Sequence, residues 1–394
     1  MSADGEAVAT TLASGQPSLP SGRAALRAAV PVVATVVALH VGFVLVRAVA
    51  VGGLDGFVVY DGRAYFRIAL DPLTLAVTDH GITFTRPAYW QTRIGYPLTA
   101  WLGSLGGRIG LVAGALVLVN LLAIAGIALA GACTARRLGH SAWWGGVPAL
   151  WAGFLVGLGQ DLTEPLAGVL LLGALVLLRT HRHLLASLAL TAAGITRETT
   201  LLVAATVLGC SVLAPVLASV LPARGRRTAP GWWVGALPLV TYAAWRTWVH
   251  ARWSDVVPDP TSGNPVGVPV VELVHYVGTA ALHPLREAPN VVLLVPTLLA
   301  LALAATALRG GGPAHERLAL AGYLLVLVSL PVWDRGQAYL RWGCEPLVIG
   351  WLLLVGQART TTLRRLGAAV AVVWVVAATQ SVAYPLPGAW WTWS

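Results

Sequence analysis

The stretch "VVYDGRAYFRIALDP", Val58 to Pro72, places Asp61, Arg63, Arg67 and Asp71 directly after a long apolar run. Carboxylates beside arginines are the inventory for chemistry on a phosphate-bearing molecule. A carboxylate takes a proton from an acceptor hydroxyl, and guanidiniums hold a departing phosphate through paired hydrogen bonds. Read as a helix, Arg63, Arg67 and Asp71 follow at i, i+4 and i+8 and share one face. Asp61, Tyr65, Ile68 and Ala69 lie roughly opposite, which suits a helix along a membrane interface. Asp61 then has two compatible readings, a reactive carboxylate or an N-cap that accepts backbone N–H bonds. Arg67 and Asp71 read structurally as a solvated pair.

Four more segments carry candidate groups, each with a structural alternative. "RPAYWQTRIGYPL" offers Arg93 and Tyr96, or an interfacial anchor. "GQDLTEP" offers Asp161 and Glu164, or a turn acid and a helix cap. "ITRETT" offers Arg197 and Glu198, or a structural ion pair where water is scarce. "WDRGQAYLRW" offers Arg335 and Arg341, or an anchor within an aromatic belt. The candidate catalytic residues are therefore Asp61 and Asp71. The candidate substrate-binding residues are Arg93, Tyr96, Glu164, Arg197, Glu198, Arg335 and Arg341. His275 and His283 belong to no HExxH-type motif, so no metal ligand is assigned. A divalent metal is chemically compatible with such a site, but no motif supports one and no cofactor is assigned. Cys133, Cys210 and Cys344 are too scattered for a disulfide framework or a metal cluster.

The elements that must position these groups are membrane helices. Only 11% of residues are charged and 57% are hydrophobic; soluble domains carry about 25% charge. Apolar runs fall at 28–49, 109–131, 143–159, 162–178, 184–195, 199–221, 231–249, 290–308, 318–332, 345–357 and 366–384. A lipid-exposed run must satisfy its own backbone hydrogen bonds, and strand alternation of the barrel kind is absent. The expectation is an all-α polytopic membrane protein of about 11 transmembrane helices, with an interfacial helix in the first outer loop. Residues 1–27 read as a flexible cytoplasmic tail and 28–384 as a multispanning membrane domain. Its long outer loops are 50–108 and 250–289, and residues 385–394 form a short outer tail.

The net charge of +10 comes entirely from arginine, since the chain has no lysine. Arginines in short loops alternate with the other loops, which reads as topology and not as a nucleic-acid surface. With Arg23 and Arg27, the loops holding Arg136–Arg137, Arg179 and Arg182, Arg224–Arg227, Arg309 and Arg317, and Arg359–Arg365 define the cytoplasmic side. The N-terminus is then cytoplasmic and the C-terminus extracytoplasmic, in the plasma membrane. Only Asp4, Glu6 and Glu316 map inside; every other acid, from Asp55 to Glu345, maps outside. Carboxylates contribute little to orientation, so this bias points to a polar cavity at the outer surface. Short, arginine-filled inner loops would produce the same bias without a cavity.

"YDGRAYFRIALDP", "RIGYPL" and "ITRETT" together resemble the GT-C superfamily of integral membrane glycosyltransferases, and most strongly its bacterial multispanning members. The resemblance implies a polyprenyl-phosphate-linked sugar as donor and transfer, usually with inversion, on the non-cytoplasmic side. It also implies an essential acid in the first outer loop, a position matched by Asp61. Many members carry adjacent acids there, whereas Asp61 and Asp71 stand apart. The expected function is transfer of a sugar to an envelope lipid, glycan or protein acceptor. The expected partners are the donor lipid and membrane lipids, with no nucleic acid. Two rivals remain: a transporter or flippase of a lipid-linked sugar, and a non-catalytic envelope-assembly protein. No internal repeat supports an inverted-repeat transporter.

Overall fold

The computed structural model describes residues 22–220, 230–254, 256, 266–334 and 336–383. The expected tail up to residue 21, Arg224–Arg227, part of the 250–289 loop, Arg335 and residues 385–394 lie outside the described residues. The chain order begins with α1 (Gly22–Val51), α2 (Asp61–Leu70), a hairpin of β1 (Thr78–Asp79) and β2 (Ile82–Thr83), α3 (Pro87–Gln91) and α4 (Gly95–Gly103). Then come α5 (Ile109–Arg137), α6 (Gly146–Ala149), α7 (Ala152–Gly159), α8 (Glu164–Arg179), α9 (His183–Thr196), α10 (Leu201–Val220) and α11 (Trp233–Trp253). The chain closes with α12 (Val271–Leu282), α13 (Pro284–Ala305), α14 (Ala314–Val328), α15 (Gly336–Trp342), α16 (Cys344–Gly356) and α17 (Thr360–Ala383).

All eleven apolar runs contain helix. Among the described residues, four helical segments are long and apolar enough to cross a membrane alone: α1, α5, Pro284–Arg309 and α17. The run Ala142–Ala149 with Ala152–Gly159, bent by 52°, makes a fifth if it acts as one span. The shorter helices have a physical reason to be short. A helix buried by protein can end on polar protein groups and need not reach the headgroups at both ends. In α16, every residue from Cys344 to Val355 is buried. The exterior is apolar: Leu45, Val49, Leu122, Val240 and Val292 are all more than half exposed. Glu164, Glu316, Arg197 and Glu345 are buried instead. Apolar residues outside and charged residues inside are the arrangement a lipid solvent selects.

Two ion-pair clusters cap opposite ends of α8. Arg179, at its last turn, donates to Glu316 at 2.7 and 2.5 Å. Glu164, its first residue, lies about 22 Å away by helical rise and joins the cluster described below.

The segment after α2 departs from expectation. Arg67 is not on a solvated face; it is 1% exposed. Its guanidinium donates to the carbonyls of Ala76, Val77 (2.6 Å) and Ile82 (2.9 Å) and lies 3.9 Å from the Phe84 ring centre. Residues 72–86 fold back over this face of α2 through the short hairpin. His80 and Gly81 both have positive φ there, as a tight hairpin turn requires. Val77 O already accepts the Phe84 N–H at 2.8 Å, and Arg67 adds a second donor there and further donors at Ala76 and Ile82. Arg67→Ala should therefore destabilise the fold by about 3 kcal/mol, from several charge-assisted bonds lost at once. Thermal unfolding in detergent and limited proteolysis of residues 72–86 measure it, and a wild-type melting curve with an equally resistant loop would refute this role.

Candidate functional site

Four short segments, distant in sequence, meet at the Glu164 end of α8. Two glycines allow the approach. A Cβ at Gly62 would collide with the Gln160 carbonyl oxygen, so the start of α2 sits directly on the α7–α8 turn. A Cβ at Gly95 would collide with Thr196, which lets the α3–α4 segment lie against the end of α9. The glycines of "YDGR" and "RIGYPL" thus serve close backbone approach.

Glu164 anchors the assembly. One of its oxygens accepts from Arg341 Nε at 2.5 Å and also pairs with Arg197 Nη1. Arg197 reaches Glu345 Oε1 at 3.0 Å, and Thr199 Oγ1 donates to the same oxygen at 2.6 Å. Arg341 Nη2 continues to Asp61 Oδ2 at 3.5 Å. The other oxygen of Asp61 accepts from the Trp90 indole at 3.2 Å. Beside this chain, Arg93 binds Glu198 with both forks, its Nε at 2.7 Å from Oε2. It also donates to the Tyr65 hydroxyl at 3.3 Å and lies 4.4 Å from the Tyr89 ring centre. Burial alone would raise the Glu198 carboxyl; the Arg93 guanidinium and its hydrogen bond outweigh that and hold it at about 2.

These groups form one wall of a cavity of about 1220 Å³. Asp61, Arg93, Arg197, Glu198 and Arg341 line it, while Glu164 and Glu345 stand behind. The lining also includes Tyr242 and Arg246 of α11, Glu272 and Tyr276 of α12, and Glu287 of α13; the Tyr242 phenol bonds to the Thr92 side chain and lies near the Glu198 charge. Trp333 and Trp342 complete a surface able to contact a polar ring.

Asp61 is not capped in the expected way. Tyr60 is the N-cap residue of α2 and the cap carries no side-chain bond, so the Asp61 oxygens are used across the cavity wall. Asp71 lies about 15 Å further along α2. It is exposed and accepts the Leu73 N–H at 3.2 Å, a local turn role outside the cavity. Tyr96 is fully buried elsewhere, donating to Leu116 O at 3.1 Å and accepting from Asn120 at 2.9 Å. Asp161 is buried with neither oxygen hydrogen-bonded among the described residues, and burial pushes its carboxyl well above the usual range against the pull of Arg47. Arg335 lies outside the described residues. No group of three or more His, Cys, Asp and Glu gathers to hold a metal ion among the described residues.

Sequence reading did not select Trp90, Glu345 or Arg246. For Glu345 a signal exists. "TEP" and "CEP" each put a glutamate before proline at the start of an apolar helix, and both glutamates bind Arg197. No family model, curated protein or solved structure matches this chain.

Glu198→Gln leaves Arg93 largely buried without its counter-charge. We expect a loss of about 2 kcal/mol at pH 7, below the range for a fully buried pair because Glu198 keeps 29% exposure. The sign with pH follows from the depressed carboxyl. Its stabilisation is complete above the ordinary value of 4.5 and fades as pH falls toward about 2. Unfolding curves of wild type and variant should therefore converge between those values; a gap that stays constant down to pH 2 would disprove the pairing.

Proposed function

We propose that the protein is a multi-pass plasma-membrane glycosyltransferase of the GT-C type, with a cytoplasmic N-terminus, an extracytoplasmic C-terminus and about eleven crossings. It would move a sugar from a polyprenyl-phosphate donor to an envelope lipid, glycan or protein acceptor on the extracytoplasmic side. The observation that carries this reading is Asp61, a carboxylate on the wall of a large charged cavity, 3.5 Å from Arg341 and oriented by Trp90. In the reaction, an acceptor hydroxyl oxygen attacks the anomeric carbon and Asp61 takes its proton. The bond from that carbon to the phosphate oxygen breaks, and its electron pair leaves with the polyprenyl phosphate. Arg341 and, through Glu164, Arg197 hold the base in position.

The distribution of charge favours transfer over passage. The catalytic cluster occupies one end of α8, and the other end is tied by the Arg179–Glu316 pair. A through-path would need polar groups along the length of the membrane.

Asp61→Asn should reduce transfer from labelled polyprenyl-phosphate sugars by about 100-fold or more while leaving the melting temperature unchanged. Full activity of the variant would remove Asp61 as the base. Movement of the sugar lipid across proteoliposomes with no transfer product would favour a transporter instead.

A further inference from the structure

The arginines first expected to meet a phosphate are already committed. Arg93, Arg197 and Arg341 face Asp61, Glu164, Glu198 and Glu345. Three guanidiniums against four carboxylates leave this wall with one negative charge in excess when all are ionised. Such a wall orients hydroxyls and accepts a proton, but it does not attract an anion. Elsewhere on the lining Arg286 lies 3.6 Å from Glu287. Arg246 differs. Among the described residues it makes no ion pair with a carboxylate, and its polar neighbour is the Tyr242 phenol one turn back on α11.

Arg246 also stands where two hollows meet. A second hollow of about 660 Å³ runs between α3 and α11. It is lined by Pro87, Ala88, Thr247, Ala251 and Trp253, and shares Arg246 and His250 with the main cavity. Its lining residues Thr247 and Ala251 are exposed, as are the apolar Val240 and Trp248 elsewhere on α11, so the hollow opens on the outer surface of that helix. A guanidinium at the junction of a polar chamber and an apolar groove fits an amphiphile with an anionic head.

We propose that Arg246 holds the phosphate of a lipid whose hydrocarbon chain leaves the cavity through the α3–α11 groove. The choice of a lipid phosphate over other anions rests on the glycosyl-transfer reading; the binding step itself does not require transfer to occur. The site divides two tasks between residues: proton removal falls to Asp61, and anion recognition to Arg246 at the mouth of the groove.

The test is equilibrium binding to the full chain in nanodiscs, with three probes: a long-chain polyprenyl monophosphate, the matching polyprenol, and inorganic phosphate. Wild type should prefer the monophosphate over the polyprenol by about tenfold or more, and inorganic phosphate should bind far more weakly. Arg246→Ala should abolish that preference. Ala251→Trp, at an exposed groove position, should weaken the lipid without altering the binding of inorganic phosphate. Unchanged monophosphate binding in both folded variants overturns the proposal, as does equal binding of lipid and inorganic phosphate. The two readings fail separately. If wild type shows no sugar transfer yet Arg246→Ala loses the lipid, the catalytic reading falls and this site stands. If transfer proceeds and Arg246→Ala binds normally, only this site falls.

Discussion

The structure depends on Arg197 held between Glu164 and Glu345. One guanidinium joins the start of α8, the turn after α9 and the start of α16, while Arg341 of α15 shares the Glu164 carboxylate. Buried charges are costly unless each finds a counter-charge and hydrogen bonds. Here that requirement works as a positional constraint: moving any of these helix ends would strand a charge among apolar neighbours. The same cluster fixes Arg341, and Arg341 is what Asp61 reaches across the wall. The Asp61 carboxylate thus inherits its place from ion pairs made mostly behind it.

The exterior explains why such a core is tolerated. An apolar outer surface gives no distinction between lipid and neighbouring helix, so helix association in a bilayer relies on close contacts and polar links. Gly62 and Gly95 provide the close contacts beside the site, and the arginine–glutamate pairs provide the links. The second polar knot, Arg179 with Glu316, does the same at the far end of α8. Helices such as α16 can then be short, because their ends meet these knots and not the membrane surface.

How much of this the sequence disclosed follows from the range of each signal. The eleven apolar runs were legible because hydropathy is local, and each contains helix. Five of the nine candidate residues line one cavity and Glu164 backs it, because charged residues at span ends have few places to go. Asp71 and Tyr96 were misleading for the opposite reason: their roles, a local turn and a buried link to Asn120, leave no mark in residue type or spacing. Arg67 looked solvated by helical period alone, but its face is covered by a returning loop, which periodicity cannot register. Arg246 was invisible because its significance is comparative. It emerges only once Arg93, Arg197, Arg286 and Arg341 are each seen with a carboxylate.

The central claim is that Asp61 faces a reacting sugar inside this cavity. The most direct measurement is an electron cryomicroscopy map of the protein in nanodiscs with a non-transferable polyprenyl-phosphate sugar analogue. The account predicts the sugar in the cavity, with the acceptor side of its anomeric carbon open toward Asp61. Ligand density bound only on the outer helix surface, with Asp61 still hydrogen-bonded to Trp90 beside an empty cavity, would contradict it.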